Sequence, residues 1–202
     1  MPRFLGSVVA VCLGLAGAAG RAQVIEFQSN GLKYQTLTKS GVTVMYAHLG
    51  NHLHEYAILQ VAVSNGSKGP YVIRPEDFSY ERGDDLGTLR AVPARTVIEM
   101  LMQKGNGGDV VKLVTQYETS IYGNPHLRST NGYESRRQAA LAFSGSKLKA
   151  AAAASALALV QTKLAPTEST DGAVFFANDG KPLTGGKLVV RTNTDVFEFN
   201  PE

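Results

Sequence analysis

The sequence predicts an α+β fold in which early and late β segments share one interior and an alanine-rich helical middle lies alongside. Three observations carry this reading. In Tyr56 to Ser64, residues Ala57, Leu59, Val61 and Val63 recur at period two, which puts them on one face of an extended strand. Short β-branched and aromatic runs, separated by Gly, Asn and Pro turn signals, flank that stretch and recur near the end of the chain. Between them, from about Thr88 to Leu164, the apolar spacing changes to three and four residues.

Residues 1–22 come first. Met1-Pro2-Arg3 is a short positive start, Phe4 to Ala19 is almost wholly apolar or small, and Ala18, Gly20 and Ala22 supply the small residues a signal peptidase needs. The expectation is a secretory signal cut after Ala22 and a periplasmic or secreted product, since the apolar run falls short of the ~20 residues that span a bilayer. Cys12, the single cysteine, is preceded by Val11 rather than a small residue, which argues against lipid attachment. Removing 22 of 202 residues leaves 180, enough for one domain from 23 to 202. Without Arg3 and Arg21, 18 basic side chains face 17 acidic ones, a net charge of +1. No clustered basic excess points to nucleic acid, and the mature chain holds no candidate transmembrane helix.

In chain order, Val24 to Phe27 reads as extended, Asn30-Gly31 as a turn, and Leu32 to Leu37 as a strand. Ser40-Gly41 breaks the chain, Val42 to Tyr46 is a strand, and Gly50-Asn51 is expected to turn it into the organising strand. That strand carries Tyr56, Ile58, Gln60 and Ala62 on its other face, mixed enough to meet water or a second layer. Asn65 to Pro70 turns again, and Tyr71 to Arg74 and Phe78 to Tyr80 are extended. A helix follows Pro93 and stops at Gly105, and Asp109 is placed to cap the next, which runs to Ile121. Tyr122 to Gly132 reads as an irregular loop, and helices are expected at Tyr133 to Phe143 and Ser146 to Leu164, ended by Pro166. Thr167 to Gly172 is turn chemistry, Ala173 to Ala177 a buried strand, and Lys187 to Arg191 with Val196 to Phe199 a hairpin.

The strand ending Val-Ala-Val-Ser-Asn65, the Asn-Gly-Ser turn, Tyr71-Val72-Ile73, Pro75-Glu76-Asp77-Phe78, and later Leu164 to Ser169 leading to Gly172 to Phe176 resemble the immunoglobulin-like (telokin-like) extracellular domains of bacterial envelope proteins and lipoproteins. The likeness covers about half the mature chain. It implies an immunoglobulin-like antiparallel β-sandwich of seven-strand type, serving as an interaction module, with a helical insertion at about 88–164 that the family pattern lacks. Pro166-Thr167-Glu168 stands where the family has Pro-Gly-Glu.

Candidate chemistry is sparse. His48, His52 and His54 fall within seven positions, and imidazoles from adjacent strands can bind zinc or copper. Strand parity sends His52 and His54 outward and His48 inward, which favours hydrated hairpin histidines unless Gly50-Asn51 bends the strand. Gly66-Ser67-Lys68 and Gly145-Ser146-Lys147 lack hydrolase or phosphate-loop spacing. Glu76-Asp77 and Asp84-Asp85 have no calcium-loop surroundings. Tyr117, Tyr122, Tyr133, Arg128, Arg136 and Arg137 bracket the irregular loop and form the candidate partner-binding patch; the alternative is that the tyrosines pack the helices onto the sheet. The resulting expectation is an exported, non-enzymatic binding or envelope-assembly module with a protein or envelope partner and no cofactor. A metal-binding protein or metal-dependent enzyme built on the three histidines is the rival.

Overall fold

The computed structural model describes residues 23–29, 31–83, 87–122 and 132–201. It is an α+β protein built on a mostly antiparallel, curled sheet. The strands are β1 (Ile25–Ser29), β2 (Leu32–Lys39), β3 (Val42–Leu53), β4 (Tyr56–Asn65), β5 (Tyr71–Ile73), β6 (Phe78–Arg82), β7 (Thr88–Val92), β8 (Thr162–Leu164), β9 (Ser169–Ala177), β10 (Gly186–Arg191) and β11 (Val196–Glu198). Four helices, α1 (Ala94–Lys104), α2 (Gly107–Tyr122), α3 (Tyr133–Leu141) and α4 (Ser146–Leu157), lie between β7 and β8 in the chain.

The large sheet runs β1-β2-β3-β4-β9-β7-β6-β10-β11, while β5 and β8 pair separately. Its two halves meet at a short seam where Ala91 and Val92 of β7 pair with Phe176 and Phe175 of β9. From there the sheet curls until its ends face each other. Asn200 N–H donates to Gln35 Oε1 at 3.1 Å, Gln35 Nε2 returns a bond to the Asn200 carbonyl at 3.4 Å, and Tyr46 meets Phe199 edge to face. This closure is compatible with a sandwich.

Strand alternation divides the apolar residues of β4 between two cores. Ala57, Leu59, Val61 and Val63 face the interior of the curl with Val44, Phe176, Leu188 and Phe197. Ile58 faces outward with Leu49 and Phe175, where Val97, Leu101, Leu113 and the alanines of α4 cover the sheet. The mixed face of β4 therefore meets a second layer rather than water. Alanine suits α4 because it lets a helix lie close to its neighbours, and α4 contacts all three other helices.

Several boundaries differ from the sequence reading. Thr88–Val92 is a strand, not the start of a helical stretch, because it has an edge of β6 and of β9 to pair with. Helix α4 stops at Leu157, well before Pro166: Ala158 bridges to Ala173, and Leu159 N–H donates to the Ala173 carbonyl at 2.9 Å. Gly172 permits this approach, since a Cβ there would lie 2.4 Å from Leu159 Cα. Thr162–Leu164 then pairs with β5. The turn-like Ser169 to Gly172 is strand, held by four of the nine register pairs between β4 and β9. At Gly50-Asn51 the chain does not reverse but bulges, and β3 continues to Leu53 before turning at His54-Glu55, with His54 at φ +52°. Of the expected loop at Tyr122 to Gly132, residues 123–131 lie outside the described residues.

Candidate functional site

The bulge in β3 sets the geometry of the site. Pairing between β3 and β4 is regular up to Leu49–Ile58 and resumes only at Leu53–Tyr56, so the segment between leaves the ladder. Bulges of this kind re-aim side chains and are common beside functional sites. Here the irregular segment forms one wall of a cleft of about 400 Å³. Leu32, His48, Leu49 and His52 line it together with Pro182 and Leu183 from the segment before β10.

His48 pairs in register with Leu59, so it points into the curl as parity requires. Its ring is set edge-on to Tyr46 at 5.7 Å and to Tyr80 at 6.2 Å, which fixes its orientation at the cleft wall. His52 is exposed and leans against Gly180, where a Cβ would come 3.6 Å from its Cδ2. Lys33 stands at the rim, 3.1 Å from Glu26, so its charge is partly answered on the protein itself.

His54 leaves the other two. Its Nε2 lies 3.0 Å from Asp109 Oδ2 at the start of α2. The same carboxylate oxygen accepts the Asn106 N–H at 2.9 Å, while Asn106 Oδ1 accepts the Gly108 N–H at 2.8 Å. Asn106 is thus the capping residue and Asp109 its reciprocal partner three positions on, a correction to the simple Asp109 cap. The three histidines do not converge, and among the described residues no group of three or more His, Cys, Asp or Glu side chains is placed to hold a metal ion.

The residues expected to form a partner-binding patch are mostly inward. Tyr117 is fully buried and Tyr133 nearly so, with ring centroids 5.0 Å apart between helices and sheet. Tyr117 donates its hydroxyl to Asp171, itself buried on β9; burial first, and the Asp171 carboxylate second, push the Tyr117 phenol well above its ordinary range. Arg136 Nε donates to the Ala156 carbonyl at 3.1 Å, and Arg137 pairs with Glu118, so both arginines tie α3 to its neighbours. Arg128 and the side chain of Tyr122 lie outside the described residues.

Three participants escaped the sequence reading. Asp171 looked like turn chemistry, yet an acidic residue followed by Gly172 can also mark a strand where a polar group is bonded and another backbone approaches. Pro182 and Leu183 carry no periodic signal, and only the curl brings them to His48 and His52.

No protein-family model, curated protein or solved structure matches the chain.

Proposed function

We propose that the chain is an exported, non-catalytic binding module of immunoglobulin-like build, its four helices inserted between β7 and β8, and that its ligand site is the cleft walled by His48, His52 and Leu183. The composition of residues 1–22 supports export to the periplasm or beyond. The observation that carries the binding reading is the cleft itself: about 400 Å³, lined mainly by apolar side chains, with one imidazole held between two tyrosine rings. Concave apolar surface with a few oriented polar groups is the usual form of a small-molecule site, and this volume lies within the ordinary range for one. Leu32, Leu49 and Leu183 would cover the apolar part of a ligand, and His48 and His52 would hydrogen-bond its polar group.

The test is a thermal-shift screen of neutral amphipathic fragments against the protein and its Thr184→Arg variant, in which a long charged side chain stands at an exposed position of the cleft lining. Fragments that raise Tm for the parent should lose that effect in the variant. Equal shifts in both proteins would move the site elsewhere.

A further inference from the structure

One end of the helical layer gathers exposed apolar and basic side chains. Met102, Val111, Phe143 and Leu148 are 49%, 61%, 44% and 37% exposed. They belong to the last turn of α1, the first turns of α2, the α3–α4 connection and the first turn of α4. These segments share one end of the layer: a Cβ on Gly105, just after α1, would sit 3.1 Å from the Ala150 Cβ near the start of α4, and Asn106 joins α1 directly to α2. The same segments carry Lys104, Lys112, Lys147 and Lys149. Among the described residues none of these lysines pairs with a carboxylate. Asp109, the nearest acidic residue in sequence, is buried and bonded to Asn106 and His54, while Glu99 is engaged by Arg95.

We propose that this end of the helical layer rests reversibly on an anionic phospholipid surface, with the four lysines among the headgroups and Met102, Phe143 and Leu148 at the acyl boundary. The charge pattern selects this occupant. Lysine is depleted at protein–protein interfaces, whereas lysines interleaved with Phe, Leu and Met are what an interfacial membrane contact uses. Each lysine near an anionic surface strengthens binding about fivefold, and salt weakens the attraction. The contact is peripheral: no helix among the described residues is long and apolar enough to cross a membrane. It shares no lining residue with the cleft and does not depend on it.

The experiment is vesicle co-sedimentation of the full chain with phosphatidylcholine alone and with phosphatidylcholine doped with phosphatidylglycerol. The readout is the excess binding to the anionic vesicles, because the apolar segment at residues 4–19 would contribute to both. The parent should show an excess that high salt removes. Changing Lys104, Lys112, Lys147 and Lys149 together to Gln should reduce it about a hundredfold or more. Met102→Ser with Phe143→Ser and Leu148→Ser should also lower it. Five of the seven positions are exposed and Lys112 and Lys149 are half-buried, so circular dichroism is used to check that each variant keeps its fold; the Lys147→Gln, Lys149→Gln pair gives a milder second reading, with a loss of about twenty-fivefold. No excess in the parent, or the same excess in the variants, overturns the proposal. So does a patch whose substitution alters only capture of a protein partner.

Discussion

Asn65 Nδ2 donates to the Leu164 carbonyl oxygen at 3.1 Å, across 99 positions of sequence. The same amide reaches the Gly69 carbonyl, and its Oδ1 accepts both the N–H and the hydroxyl of Ser67. Backbone bonds from Asn65 to Glu168 and from Thr167 back to Asn65 complete the clamp. The residue is fully buried, so losing its side chain strands several polar groups at once. Asn65→Ala should lower unfolding free energy by about 2–4 kcal/mol, the sum expected for one or two stranded groups, measured in urea. A loss within experimental error would show that the clamp contributes little.

Asp109 joins two layers through one carboxylate oxygen, accepting the N–H of the capping residue Asn106 and meeting His54 of the β3–β4 turn. Asp109→Ala should cost about 0.5–2 kcal/mol, the usual range for a lost capping interaction. His54→Ala should cost less, because the cap survives. Hydrogen exchange should locate both effects in the first turn of α2; protection unchanged there would refute the assignment.

Alkaline pH should weaken the fold through its buried phenols, Tyr34 and Tyr117 foremost. Burial raises Tyr34 to about 12 and holds Tyr117 well above its ordinary 10.0. A raised phenol pKa means that the folded state keeps its proton longer than the unfolded chain does. Its contribution is complete below pH 10 and declines as pH rises from 10 through the folded-state value. Urea midpoints should therefore fall between pH 10 and 12, and less steeply in Tyr117→Phe. That variant should itself be destabilised at neutral pH by about 1–3 kcal/mol, since Asp171 loses a buried donor. A midpoint independent of pH in this window would contradict the burial of both rings.

Much of the sheet was legible because period two is a local property. Ala57, Leu59, Val61 and Val63 needed no partner to be assigned to one face, and Val97, Met100 and Leu101 likewise announced α1. What stayed hidden depends on contacts distant in sequence. Thr88–Val92 is a strand because β6 and β9 offer edges, and α4 ends at Leu157 because Ala173 receives the next residues. The site was half visible. His48 and His52 stood out, and parity gave the inward turn of His48. The partner of His54 and the far wall at Leu183 come from the packing of helix on sheet and the curl of the sheet, neither of which local spacing encodes.

The most direct measurement is chemical-shift mapping of the 13C,15N-labelled protein during titration with a fragment that stabilises it. Perturbations should concentrate on Leu32, His48, Leu49, His52 and Leu183, with His48 ring signals moving alongside the Tyr46 and Tyr80 rings that flank it. Shifts centred on the helical layer or scattered over the surface, with these residues unmoved, would contradict a binding site in the cleft.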